Sequence, residues 1–377
     1  MMNSHLRAEY RLLMIAPSLE KKGGVADFCR MLIRNLSHDF QVFYFGVGGE
    51  QEKYSVAIRV IRFLQSLYQL AKIIRKDSFD IIHINPSFKF NSLFRDSIYL
   101  AIIFAFHLSP RTMVFFHGWD QDFFEKIRKR FFWKKVTLAI YKRARIILML
   151  FNKAREQLIT LGISPEKIKI ATTMFEESEK SGADHNPLEN KGRESVRILF
   201  MSRFLKEKGI FIAAEVVRLL VKDGFLRFKF IFAGDGPAYD RLVDFFSLNK
   251  LRDYVEITGF VSGENKRRVL EKSDILLFPT YYGEGCPVVV LEAMGAGLAI
   301  ISTPVGAIAE IVKQNEGGFI IDSKDPHVFC QAIIKLTEEE SLLRSMQREN
   351  MKKARENYEA GAVTRRIESF YMSIIND

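Results

Sequence analysis

A chain of 377 residues, 48% of them hydrophobic, is long enough for two domains with a core each. Its three cysteines, Cys29, Cys286 and Cys330, are too few and too scattered for a disulfide framework or a structural zinc site, and point to a reducing compartment. The formal net charge of +11 is uneven: residues 1–185 hold 29 Lys and Arg against 18 Asp and Glu, while the rest hold 27 of each, so the first half is the part suited to an anionic partner.

In chain order, apolar β-rich runs alternate with helical periodicity, the pattern of parallel βαβ units and an α/β fold. In the first half the runs are 11–16, 41–45, 80–84, 112–116, 145–150 and 167–171, with helical stretches such as 58–75 and 91–108 between them. The first strand begins almost at once, so no leader peptide is expected. The most apolar run, 98–108, is far shorter than the ~20 residues that span a bilayer and reads as a buried helix.

The loops that close these strands carry the first candidates. Gly23 and Gly24, after Lys22, permit close backbone approach ahead of a helix N-terminus, although paired glycines alone mean only a tight turn. Asn85 and Ser87 follow the third strand and are suited to meet an acceptor, whereas His83, inside that strand, reads as a packed residue. His117 closes the fourth strand just before Gly118, where a neutral imidazole can orient a hydroxyl. Asp120 reads as the N-cap of the next helix, with an acceptor contact left open.

The stretch 123–146, bounded by Phe123 and Ile146, holds nine Lys and Arg, among them Lys126, Lys134 and Lys135, against the single acid Glu125. Large apolar residues are interleaved, including Phe124, Ile127, Phe131, Phe132 and Trp133. One reading is a helix lying on an anionic bilayer; the other is a core-facing apolar side with a solvated charged face. No recognition motif accompanies the charge, which argues against nucleic acid. A polar stretch, 176–195, without apolar periodicity and with Pro187, reads as the interdomain linker.

The second half begins the alternation again, with strands at 196–201, 228–233, 254–258, 274–278, 298–302 and 318–321. Helices are expected to start near Gly209, Pro237, Glu264, Pro287 and Pro326. After the first of these strands come Arg203 and Lys208, five apart, with Lys206 between them reading as solvent-exposed. Gly234 and Asp235 follow the second strand, and Phe260 and Val261 the third; Asp235 is equally well a helix cap, and Phe260 equally well a core residue. Near the fourth strand lies Glu284-Gly285-Cys286-Pro287-Val288, with Glu292 eight positions after Glu284. Pro287 fits a first helical turn, so Glu284 falls on the loop and Glu292 within the helix. The N–H groups at Cys286, Val288 and Val289 then point between two carboxylates, with the positive end of the helix dipole behind them. A ligand with hydroxyls at both ends and phosphate in the middle, such as a nucleotide-sugar, satisfies this arrangement. The last stretch, after Ser341, is helical in period and dense in charge.

Glu284, seven residues, Glu292, then Ala293-Met294-Gly295-Ala296-Gly297 and a strand resembles the donor site of the retaining glycosyltransferases of family four, group 1, which have the GT-B fold. Met201 to Gly209 is similar to that family's Gly-Arg-Leu-x-x-x-Lys-Gly loop, with Ser202 in the place of glycine. The resemblance implies two Rossmann-like doubly wound domains facing a central cleft. Residues 1–175 would bind acceptor, 196–340 would bind the nucleotide-sugar, and 341–377 would pack back toward the first domain. It implies that Arg203 and Lys208 hold the donor diphosphate, that Glu284 binds donor hydroxyls and that Glu292 holds the ribose. His117 would lie beside the transferred sugar, Gly23 and Gly24 against the phosphates, and Gly234, Phe260 and Val261 near the nucleotide. No metal site and no bound cofactor are expected, the nucleotide-sugar being a co-substrate. The acceptor is expected to be a polyprenyl-linked glycan of the bacterial cell-surface polysaccharide type, at the cytoplasmic face of the membrane. An epimerase of the same fold, or a non-catalytic membrane-attached partner of a glycan-assembly complex, are the rival readings.

Overall fold

The computed structural model describes residues 9–21, 23–48, 54–129, 138–176 and 195–376. These divide into two units, Met1–Met174 with Ala360–Asp377, and Phe175–Glu359. All twelve apolar runs form strands, every one in a parallel pairing. A parallel sheet covered on both faces leaves no solvent side, which is why its strands read as continuous apolar runs rather than alternating ones.

The first unit contains β1 (Tyr10–Pro17), α1 (Gly24–Asn35), β2 (Phe40–Val47), α2 (Val56–Lys76), β3 (Ile81–Ile84), α3 (Phe90–Ala105), β4 (Thr112–Phe116), α4 (Gln121–Lys129), β5 (Ile146–Met149), α5 (Asn152–Thr160) and β6 (Ile168–Ile170). Strand order is β2-β1-β3-β4-β5-β6. All five residues of β4 and all four of β5 are buried, each fully enclosed Ile, Leu or Phe contributing ~1.5–3 kcal/mol. Run 98–108 lies on α3, which ends at Ala105 and buries one face through Tyr99, Leu100, Ile103 and Phe104.

The second unit contains β7 (Val196–Met201), α6 (Ile210–Lys222), β8 (Phe228–Ala233), α7 (Tyr239–Leu248), β9 (Val255–Gly259), α8 (Gly263–Glu271), β10 (Ile275–Phe278), α9 (Val288–Gly295), β11 (Ala299–Ser302), α10 (Ile308–Ile311), β12 (Gly318–Ile320), α11 (Pro326–Glu338) and α12 (Glu340–Asn357). Strand order is β12-β11-β10-β7-β8-β9. Pro287 is the N-cap of α9 rather than a first-turn residue, with φ −72° and ψ 117° holding it extended.

The C-terminal stretch differs from expectation. Rather than one segment returning to the first unit from residue 341, it is two helices. The first, α12, stays on the second sheet: Gln347 Nε2 donates to the Asp274 carbonyl (3.2 Å), and Asn350 Nδ2 to those of Leu298 (2.7 Å) and Gly317 (2.6 Å). The second, α13 (Ala360–Ile375), belongs to the first unit, where buried Tyr371 hydrogen-bonds His83 Nδ1 at 2.7 Å and Glu368 accepts from the Ser37 amide at 2.6 Å. His83 is fully buried, as a packed strand residue should be.

Of the basic stretch 123–146, residues 130–137 lie outside the described residues, as does most of the linker 176–195. On either side, Phe124, Ile127, Leu138 and Tyr141 are buried, and the Tyr141 hydroxyl donates to the Leu93 carbonyl at 3.1 Å. Those apolar side chains are core, and the neighbouring cations form a solvated face. No helix among the described residues is long and apolar enough to cross a membrane.

Candidate functional site

In the second unit the chain runs β7 to β9 one way across the sheet and β10 to β12 the other, so the order reverses between β7 and β10. Ligands of open parallel sheets bind outside the carboxyl ends of the strands at such a reversal. The two loops that leave these strands hold Arg203 with Lys208, and Glu284.

Gly209 is what lets the loops meet. Its φ is +81°, and a Cβ there would lie 2.1 Å from the Pro279 carbonyl oxygen, so only glycine fits. The contact brings Lys208 Nζ into an ion pair with Glu284 Oε1, the two side chains being 16% and 10% exposed. Thr280 Oγ1 donates to the same carboxylate at 3.3 Å, and Nζ stands 4.6 Å from the Tyr282 ring centre. The loop after β11 supports the glutamate from behind. Thr303 Oγ1 donates to the Thr280 carbonyl, the Ala307 amide donates to the Gly285 carbonyl at 2.8 Å, and a Cβ on Gly306 would lie 2.4 Å from that same oxygen. Thr280, Thr303 and Gly306 carried no signal in the sequence: Thr280 reaches the Glu284 side chain, while Thr303 and Gly306 brace Thr280 and Gly285 from the loop after β11.

Glu292 is the fifth residue of α9, just over one turn in, and its Oε1 accepts from Lys266 Nζ at 2.5 Å. Lys266, on α8, was also missed: one lysine in a helix rich in Lys and Arg has no distinguishing pattern. The first-turn amides of α9, Val288 and Val289 among them, have no carbonyl partner within the helix, and the dipole favours an anion there. Cys286 and Pro287 are buried beneath this turn, and Gly285 is half-buried. Arg203 and Lys206 are exposed.

Gly234, with φ +150°, leaves no room for a Cβ, which would fall 1.9 Å from the Ser202 carbonyl; its amide donates to the Gly259 carbonyl at 2.8 Å. The Asp235 carboxylate accepts from the Gly236 amide at 2.7 Å within its own loop; the N-cap of α7 is Ala238, with no side-chain cap bond, so Asp235 does not cap that helix. Phe260 is 65% exposed, so it is not a core residue, and Val261 is half-buried.

The first unit reverses between β1 and β3, and its candidates gather on the loops after β1, β3 and β4. His117 is held on three sides. Its ring centre is 4.7 Å from that of Phe28 and 4.2 Å from that of Phe115, and Nε2 hydrogen-bonds Asn85 Oδ1 at 2.8 Å. Burial, and secondarily the nearby His83, push its pKa below the ordinary value, so the imidazole is neutral. With Nε2–H donating to Asn85, Nδ1 is left as the acceptor. Asn85 is itself 4% exposed and its amide nitrogen reaches the Ile15 carbonyl at 3.4 Å, so both ends of its side chain are engaged within the protein: it positions His117. Ser87 is half-buried, its amide donating to Ser92 Oγ at 3.0 Å. Asp120 caps α4, Oδ1 accepting from the Phe123 amide at 2.9 Å. Gly23, at φ 151°, is the N-cap of α1, and no atom lies within 4 Å of a Cβ built on Gly23 or Gly24. Packing therefore does not explain Gly24, whose open side suits the approach of a ligand. Lys22 lies outside the described residues. Among the described residues, no three His, Cys, Asp or Glu side chains gather as a metal ion would need.

Two family profiles match the chain nearly end to end: Glycosyltransferase Family 4 over residues 22–173 and Glycosyl transferases group 1 over residues 184–356. Among curated proteins it is similar to the amylovoran biosynthesis glycosyltransferase AmsK of Erwinia amylovora, 27% identical over 62% of this chain and 57% of that one. It is also similar to the UDP-Gal:alpha-D-GlcNAc-diphosphoundecaprenol alpha-1,3-galactosyltransferase of Escherichia coli, 24% identical over 76% of this chain and 73% of that one. The chain spans under three fifths of the length of AmsK and of the Salmonella typhimurium protein described as a putative colanic acid biosynthesis glycosyltransferase, WcaL. Among solved structures, a glycosyltransferase from Rickettsia africae superposes with a TM-score of 0.73 at 16% identity, over 98% of this chain and 99% of that one. Anabaena HepE in complex with UDP does so with a TM-score of 0.73 at 15% identity, over 96% and 100%.

Proposed function

The chain belongs to the family 4, group 1 glycosyltransferases of the GT-B fold, and on that premise we propose that it moves a sugar from a nucleotide-diphosphate donor to a hydroxyl of a lipid-linked glycan in surface-polysaccharide assembly. The observation that carries the donor half is the Lys208–Glu284 pair at the reversal of the second sheet, between Arg203 and the start of α9. The acceptor half is supported by the relatives' names, which mention amylovoran, colanic acid and a diphosphoundecaprenol-linked sugar.

In this proposal the donor diphosphate lies at the α9 N-terminus. Arg203 and Lys208 stabilise the charge that grows on its oxygen as the sugar–phosphate bond breaks. Lys208 has three donors and gives one to Glu284, so the pair is aimed without being exhausted. Glu284 binds hydroxyls of the transferred sugar and Glu292 those of the ribose. The acceptor oxygen bonds the anomeric carbon as the bond to phosphate breaks, and its proton passes to the leaving phosphate oxygen on the same face, which retains configuration. Neutral His117 accepts from a sugar hydroxyl at Nδ1. The two cations and the helix terminus supply what a divalent metal would otherwise supply, so turnover should survive chelation. The protein would work peripherally, at the inner face of the cell membrane.

Thermal shift against UDP-, GDP- and ADP-sugars, followed by product analysis with a lipid-linked acceptor, tests the reading. One donor should stabilise the protein and yield a product of unchanged anomeric configuration. Failure of every donor to bind, or release of free sugar without an acceptor, would reject it.

A further inference from the structure

Helix α2 is weakly embedded in the first unit: of its 21 residues only Leu70 and Ile74 are buried. Its exposed surface mixes cations with large apolar residues. Val60 is 51% exposed, Ile61 54%, Leu64 57% and Tyr68 70%. At 3.6 residues per turn these four span about 100° of the helix surface, and buried Leu70 and Ile74 lie to one side of that arc, about 40–80° beyond Val60, so most of the arc is turned from the packing face. On the neighbouring α3, Phe90 and Phe94 are stacked 6.4 Å apart and are 54% and 53% exposed. The helices lie side by side, with Ser66 Oγ 2.7 Å from the Tyr99 hydroxyl and the Phe63 and Tyr99 rings 5.7 Å apart. Both follow parallel strands and so begin at the same edge of the sheet. Phe90 and Phe94 lie about 140–180° around α3 from Tyr99, beside Phe123 of α4, so they do not extend the α2 stripe. The stripe by itself is an exposed apolar surface of the kind that marks an interaction site.

Charge identifies the occupant. Helix α2 carries Arg59, Arg62, Lys72, Arg75 and Lys76, and no Asp or Glu. A second copy of the chain, meeting α2 with α2, would set these cations against themselves, and like charges across an interface oppose association. Apolar side chains on a helix whose only charged residues are cations suit an anionic bilayer, the first entering the acyl boundary and the second meeting the headgroups. We propose that the exposed stripe of α2 is the surface on which this protein rests against an anionic membrane, an inference that builds on the lipid-linked acceptor proposed above. It moves the attachment away from stretch 123–146, whose described apolar side chains face the core.

Co-sedimentation with vesicles of phosphatidylglycerol and phosphatidylcholine, against vesicles of phosphatidylcholine alone, tests this. Wild-type protein should bind only the anionic vesicles, and a tenfold rise in salt should weaken binding by about tenfold or more. Leu64→Glu with Tyr68→Glu should lower partitioning at least about tenfold, and the milder Leu64→Ser with Tyr68→Ser should lower it in the same direction. Lys126→Glu with Arg128→Glu on α4 should change it only about twofold. These positions are exposed, so the melting temperature should not move. Equal binding to neutral vesicles, or wild-type binding by both Leu64/Tyr68 variants, would overturn the proposal. So would a dimer in solution that those variants dissociate, since a second copy would then be the occupant. Donor-induced thermal shift on the same preparations reports the sugar-nucleotide site separately. Lost vesicle binding with an intact donor shift rejects the surface alone, and an absent donor shift rejects the proposed reaction whatever the vesicles show.

Discussion

Replacing Lys208 with Met separates what the Lys208–Glu284 pair does for stability from what it does for turnover. The substitution leaves the Glu284 carboxylate 10% exposed, with Thr280 as its remaining side-chain donor. Breaking a fully buried ion pair from one side costs ~3–5 kcal/mol; the slight exposure here brings the expectation to about 2–3 kcal/mol. For a unit of this size that lowers the melting temperature by roughly 5–10 °C. Adding Glu284→Gln removes the stranded charge, and the double variant should recover most of the loss, since an amide can still accept from Thr280. Turnover should behave differently. The lysine is assigned to the leaving diphosphate, so both variants should lose about 10²–10³-fold in kcat. Scanning calorimetry on the wild type, both single variants and the double variant, with initial rates on each, completes the cycle. If Lys208→Met melts like the wild type, the pair is not the buried contact described. If the double variant turns over normally, the assignment of both residues to the donor is wrong.

Arg203→Ala should leave the melting temperature within about 1–2 °C, since the side chain is exposed, while kcat/KM falls about 10²-fold or more; equal kinetics would remove Arg203 from the diphosphate. Gly209→Ala should cost about 3 kcal/mol or more, read by chemical denaturation, because the Cβ meets the Pro279 oxygen at a left-handed φ; an unchanged midpoint would contradict the packing of the two loops. Stability should fall in acid partly through His83. Burial lowers its folded pKa to about 3, whereas the unfolded imidazole takes up a proton near the ordinary 6.5. The unfolded state therefore binds more protons between these values, and stability is lost as pH falls through that window, by up to about 1.4 kcal/mol per pH unit. His83→Gln should flatten the melting-temperature profile between pH 6 and pH 4, and a parallel profile would show that His83 is protonated in the fold.

The fold was legible because buried parallel strands advertise themselves as unbroken apolar runs, and the donor loops because their glycines and carboxylates lie close in sequence. What escaped depends on which way a side chain turns. Stretch 123–146 and α2 both mix cations with large apolar residues. Only the structure shows that Phe124, Ile127 and Tyr141 turn inward while Val60, Leu64 and Tyr68 turn outward. Asn85 sits at the expected edge, yet whether it meets a ligand or props His117 is decided by a partner 32 residues away. The break between α12 and α13 was missed because both helices share one charge-dense period, and what separates them is that Asn350 and Tyr371 bind different sheets.

The two lysines also resolve a difficulty in the donor site that sequence alone leaves standing. On the proposed reading a diphosphate binds beside two glutamates, and like charges at close range oppose binding by several kcal/mol if unscreened. Each carboxylate is instead met by an ammonium, Glu284 by Lys208 and Glu292 by Lys266, before any donor arrives. Pairing cancels the local negative charge but leaves lone pairs on both carboxylates free to accept from sugar and ribose hydroxyls. The pairs are unequal: Lys266 is 35% exposed against 16% for Lys208, so the Lys266 contact is worth little to stability. Its use is then in binding. Lys266→Met should raise the donor KM and leave kcat and the melting temperature nearly unchanged, whereas Lys208→Met moves all three. An equal fall in kcat for both lysines would show that Lys266 acts on the leaving group as well, and that the two carboxylates do not divide the donor between sugar and ribose.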